Sequence, residues 1–133
     1  IMPGAIQMTS RYDFTYDASD RVTNMKLFTD LSNPGGPLEE DTEWKYTYGS
    51  TSVNYVYASG NAAQNFALNG LPNTTANFIS KMEVNSDSTT PPLNVVSTFT
   101  YVNGAGNKPV SGTVVTTTTG QPTQTTNYTF FYQ

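Results

Sequence analysis

The sequence predicts an all-β domain, an antiparallel meander of eight to nine short strands whose curved sheet forms an open barrel or a sandwich. Three observations predict it. Apolar and polar residues alternate with period two in runs rich in Tyr, Phe, Val and Thr. Turn residues recur between those runs at roughly ten-residue spacing. No segment shows the periodicity of an amphipathic helix.

Taken in order, residues 12–16 and 21–28 flank Asp17-Ala18-Ser19-Asp20 and read as a hairpin, with Phe14 opposite Thr23 and Tyr12 opposite Met25. Residues 43–48 and 53–57 flank Gly49-Ser50-Thr51-Ser52. A four-residue loop there sets Tyr48 against Val53, Tyr46 against Tyr55 and Trp44 against Tyr57, an apolar ladder on one face. Lys45, Thr47, Asn54 and Val56 take the other face. Further strands are predicted over 64–68, 78–84, 95–102, 110–118 and 125–132. Asn69-Gly70 and Asn103-Gly104 supply turns because Asn and Gly accept positive φ cheaply. Pro91-Pro92 and Asn33-Pro34-Gly35-Gly36-Pro37 break any regular element. A short turn of helix is the most that 36–42 or 71–77 can hold.

The 133 residues suffice for one domain over 1–133 that needs no covalent staple. Only 12 % are charged, against about a quarter in an average globular domain, while 13 % are aromatic and roughly a third are Ser, Thr or Asn. This is a folding composition with a polar, uncharged skin. The absence of His and Cys removes zinc sites, thiol nucleophiles, disulfides and imidazole-based triads. A net charge of −4 and six scattered Lys and Arg cannot build a surface for nucleic acid or for anionic membrane. No run reaches the length of an apolar membrane helix. Ile1-Met2-Pro3-Gly4 lacks the basic and apolar regions of a signal peptide, so the chain reads as a mature or trimmed fragment.

Phe14-Thr15-Tyr16 returns as Phe99-Thr100-Tyr101, and each is followed by a polar turn, a cation and a β-branched residue. Tyr46-Thr47-Tyr48 and Tyr128-Thr129-Phe130 are further copies of that first strand, and Phe66-Ala67-Leu68-Asn69-Gly70 is a degenerate one. The unit is a hairpin that cannot bury an apolar face alone, so the copies are expected to stack edge to edge.

The stretch from Phe14 to Thr23 resembles the Tyr-Asp repeat, Tyr-Asp-x-x-Gly-Arg-Leu-Thr, of bacterial surface and toxin-delivery shells, with Asp20 where that unit has Gly. The succession of Tyr-rich hairpins resembles the uncharacterised secreted lipoproteins of the Bacteroidetes that have a porin-like fold. This resemblance implies a curved antiparallel sheet, export through a lipoprotein signal outside this chain, and a lipid anchor at the cell surface. It brings no catalytic residues. Asp87-Ser88-Thr89 also fits the short O-glycosylation pattern associated with Bacteroidetes export, against the alternative of a plain polar turn.

Trp44, Tyr46, Tyr48, Tyr55 and Tyr57 are candidates for a platform on which sugar rings stack; the competing reading makes them the inner face of the sheet. Glu39, Glu40, Asp41 and Glu43 form an oxygen-rich run that could hold Ca²⁺, although no EF-hand spacing occurs, and a solvated loop is the competing reading. Asp13, Asp17 and Asp20 read as caps of their own turn. No Ser-x-x-Lys spacing occurs, and Ser80-Lys81 points to opposite faces of a strand. The functional expectation is a non-enzymatic, exported cell-surface domain without a cofactor that binds an extracellular glycan or peptide or serves as a structural module. The alternatives are a carboxylate-based glycoside hydrolase and a small outer-membrane β-barrel.

Overall fold

The structure is a computed structural model that describes residues 9–31, 33–52, 77–107 and 109–131. Seven strands follow one another: β1 (Ser10–Tyr16), β2 (Val22–Thr29), β3 (Glu39–Ser52), β4 (Asn77–Ser86), β5 (Leu93–Asn103), β6 (Pro109–Thr118) and β7 (Gln124–Thr129). A single 3₁₀ turn, Ala105–Asn107, separates β5 from β6. The strands pair antiparallel in chain order into one open sheet, with β1 and β7 at opposite ends. The all-β meander is therefore observed, as an open sheet that is neither a closed barrel nor, among the described residues, a sandwich. The expected strands 53–57 and 64–68 lie outside the described residues, and with them Tyr55 and Tyr57.

Period-two alternation divides the sheet into two chemically different faces. The pairings Phe14–Met25–Trp44–Val84–Val95 and Tyr12–Leu27 place aromatic and aliphatic side chains on one face. The pairings Asp13–Lys26–Glu43–Asn85–Asn94 place charged and amide groups on the other. Burial concentrates in the middle of the apolar face. Met25, Tyr46 and Ile79 are buried, and Val22, Trp44, Tyr48, Met82 and Phe99 pack around them. Toward the ends the cover thins, so that every residue of β1 and of β7 is exposed.

Two predicted hairpins need correction. Gly49-Ser50-Thr51-Ser52 is not a loop; it completes the 14-residue β3. Trp44 is flanked by Met25 on one edge and Val84 on the other. Tyr46 pairs with Met82 and Tyr48 with Ile79. Ser and Thr fit a pleated strand as readily as a turn, and the partner with matching apolar residues lies some thirty residues further along.

In the first hairpin the register is two residues away from the predicted one: Phe14 faces Met25 and Tyr12 faces Leu27. The turn is the cause. The Asp20 N–H donates to the Asp17 carbonyl (3.1 Å), the Asp17 N–H donates to the Arg21 carbonyl (2.9 Å), and Asp20 adopts φ 57°. This is a three-residue loop followed by a bulge in β2, where Thr23 is the extra residue opposite Thr15 and Tyr16. A two-residue shift preserves side-chain parity, so the apolar face is the predicted one. A left-handed backbone strains any residue with a Cβ, so Asp20→Gly should stabilise the domain by about 0.5–1 kcal/mol, read as a rise of a few degrees in thermal melting.

Candidate functional site

Trp44, Tyr46 and Tyr48 share the apolar face, in the middle of the sheet. Tyr46 is 4 % exposed, and burial raises its phenol well above the ordinary range. Tyr48 is half-buried. Its hydroxyl donates to the Val22 carbonyl (2.7 Å) and its ring lies 4.6 Å from the Arg21 guanidinium. Burial pushes the Tyr48 phenol up to about 12, with Arg21 opposing and Asp17 reinforcing the shift. Arg21 is in turn held by Asp17 at 2.7 Å, and that hydrogen bond keeps the Asp17 carboxyl below its usual value. Asp17 Oδ1 also accepts the Ser19 and Arg21 N–H groups, at 2.8 and 3.1 Å. Asp17 is thus the cap of the turn, and the three aromatics are packed side chains of the sheet interior and its margin.

The acidic run lies at the start of β3, where Lys26 bridges Glu40 (2.9 Å) and Glu43 (3.7 Å). Glu43 pairs with Lys45 at 3.0 Å and accepts from the Asn24 amide at 2.8 Å. Burial would raise the Glu43 carboxyl, but those hydrogen bonds and the nearby Lys45 and Lys26 charges outweigh it, and the net shift is downward. Asp41 accepts from the hydroxyls of Thr42 (2.8 Å), Ser88 (2.9 Å) and Thr29 (3.3 Å). Glu39 faces Thr29. Among the described residues no three carboxylates converge on one point, so each acid serves strand pairing or a loop anchor. Ser88 and Thr89 of the glycosylation pattern are exposed. The Ser88 hydroxyl ties the β4–β5 loop to Asp41, and the Thr89 hydroxyl donates to the Pro91 carbonyl (3.0 Å). Ser80 and Lys81 act apart: the Ser80 hydroxyl donates to the Thr47 carbonyl, and Lys81 pairs with Glu83.

Sequence reasoning missed a different surface. Every Asp and Glu lies between positions 13 and 87, and beyond 87 the only Lys or Arg is Lys108. The strands β5, β6 and β7 therefore carry no charged side chain at all. On their polar face the register aligns two rows across three strands, Thr100–Thr113–Asn127 and Val102–Ser111–Thr129. These rows line an open depression of about 310 Å³. The Thr113 hydroxyl donates to Asn127 Oδ1 (2.9 Å), which fixes the amide and leaves its NH₂ group as the donor directed elsewhere. The Thr100 hydroxyl donates to the Thr113 carbonyl (3.4 Å). Beneath the depression, Gly112 admits the rings of the apolar face. A Cβ there would meet the Thr100 carbonyl oxygen at 3.1 Å and the Tyr101 ring at 3.2 Å.

Between the two rows lies the cross-strand row Tyr101–Gly112–Tyr128, and the lining as a whole supplies hydroxyls, an amide and the exposed methyls of Val102, and no carboxylate or cation. Such a surface can exchange hydrogen bonds with an uncharged, hydroxyl-rich ligand, while no lining side chain can act as an acid or base near neutral pH. Compared with protein-family models, with curated proteins and with solved structures, the chain matches none.

Proposed function

We propose that the chain is a non-enzymatic, exported cell-surface module that binds an uncharged extracellular glycan through the β5–β7 depression. The observation that carries this reading is the pair of aligned rows, which present hydroxyl and amide groups in a concave, charge-free setting. Sugar hydroxyls both donate and accept, and so do Ser and Thr hydroxyls and the Asn amide; a charged ligand would find no counter-ion there. Export and a lipid anchor beyond this chain, as in the Bacteroidetes lipoproteins that its hairpins resemble, would set that depression in contact with extracellular polysaccharide. The aromatic residues contribute by building the sheet that holds the rows in register.

The test is calorimetric titration of the chain with neutral and acidic oligosaccharides. Binding of a neutral one is expected, with affinity falling at least tenfold in Thr113→Val and in Asn127→Ala while the circular dichroism spectrum is unchanged. Binding that survives both substitutions, or preference for acidic glycans, would remove the depression as the site. Appearance of hydrolysis products in the same mixtures would favour the glycoside hydrolase reading instead.

A further inference from the structure

The sheet ends in an edge of unusual composition. Among the described residues β7 is hydrogen-bonded on one side only, to β6. Solvent-exposed edges are ordinarily guarded by charge, proline or a bulge, because their free N–H and C=O groups template further pairing. β7, Gln-Thr-Thr-Asn-Tyr-Thr, has none of these: it is uncharged and proline-free, and it pairs with β6 without a register shift from Ser111↔Thr129 to Thr116↔Gln124. The opposite edge is guarded, since β1 carries the Arg11–Asp13 ion pair (2.9 Å).

From this asymmetry we infer that β7 is an interface for a second copy of the same chain, paired antiparallel to β7 about a two-fold axis normal to the sheet. Three features favour a copy over an unrelated strand. A net charge of −4 makes two copies repel, and the strands that carry charge, β1 to β4, are separated from β7 by the uncharged β5 and β6, so β7 is where two copies meet with least repulsion. A two-fold axis in that orientation continues each face with its like, apolar beside apolar and polar beside polar, through a self-complementary patch. The polar rows also stop at Asn127 and Thr129, on the last strand. A second β7 extends the depression across the axis, so the copy supplies one wall of a longer groove. This last consequence rests on the proposed glycan site; the pairing itself does not.

The chain has no cysteine, so a single introduced thiol can form only intermolecular disulfides. Of Thr126→Cys and Asn127→Cys, each oxidised mildly in dilute solution, the one on the two-fold axis should give a covalent dimer and the other should not, because only a residue opposite its own copy lies within disulfide reach. Arg11→Cys on β1 should remain monomeric under the same conditions. Sedimentation of the unmodified chain should show a monomer–dimer equilibrium that Thr125→Lys shifts at least tenfold toward monomer with an unchanged circular dichroism spectrum. A strictly monomeric unmodified chain at about 100 μM, well above the range expected of a small specific interface, would overturn the inference. So would equal cross-linking from β1 and β7. Because none of these readouts involves a glycan, their outcome is independent of the titration above.

Discussion

Tyr46→Ala should leave the domain barely stable at room temperature. Tyr46 belongs to the buried cluster Met25, Tyr46 and Ile79, against which Trp44 and Met82 pack. Removing a buried aromatic ring costs about 3–5 kcal/mol, from lost transfer free energy and from the cavity left behind. A domain of this size has a total stability of about 5–15 kcal/mol, and a core this small places it toward the lower end. Tyr12 lies on the same face but is 52 % exposed, so Tyr12→Ala should cost less than about 1 kcal/mol. Urea titrations of the two variants measure the contrast. Equal effects would mean that the apolar face is covered evenly from end to end and that the centre of the sheet holds no distinct core.

The second large effect is expected at Asp30, whose side chain is 1 % exposed just after β2. Its Oδ1 accepts the Thr9 N–H (2.8 Å) and its Oδ2 accepts the Gly35 N–H (2.9 Å), so one carboxylate fastens the start of the chain described here and the Pro/Gly loop to the end of β2. Asp30→Ala leaves both donors without a partner and should lower the melting temperature by roughly 10 °C. Asp30→Asn retains one acceptor but turns an NH₂ toward the other donor, so its loss should fall between wild type and Asp30→Ala. The Gly35 and Thr9 hydrogen bonds hold the Asp30 carboxyl below the usual 3.8. Asp17 and Glu43 are lowered as well, from 3.8 and 4.5. In each case the unfolded chain takes up its proton at a higher pH than the folded one. Stability is therefore complete above the unfolded values and declines as pH falls from about 5 through 4 and below. Melting curves from pH 7 to pH 2 should show this decline, and Asp30→Asn should flatten it.

The strands were legible because their signal is local. Tyr12, Phe14, Met25, Trp44 and Tyr46 alternate with polar neighbours, and alternation alone assigns them to one face whatever their partners are. Partner choice is not local. The stretch 49–52 carries residues equally at home in a turn or a strand, and only the match of Tyr48 with Ile79 and Tyr46 with Met82, across a long separation, selects β4 as the neighbour of β3. The first hairpin differs from its predicted register because Asp20 occupies a left-handed conformation that Gly usually fills and Thr23 bulges out of β2; the Gly that the Tyr-Asp repeat has at the position of Asp20 was the one local sign of that turn. The candidate site was hidden for another reason. Thr100, Thr113 and Asn127 each read as an ordinary polar strand position, and only lateral registration across three strands makes them a row. One signal was available in the sequence, the near absence of charge beyond Asp87, and it pointed to the right end of the sheet.

The strands of the open sheet pair strictly in chain order, with Trp44 between β2 and β4. Cross-strand nuclear Overhauser effects from the Trp44 backbone report on that order. Contacts to both Met25 and Val84 are expected, and none between β1 and β7. Contacts from Trp44 to the segment 53–57, or from β1 to β7, would overturn the chain-order sheet.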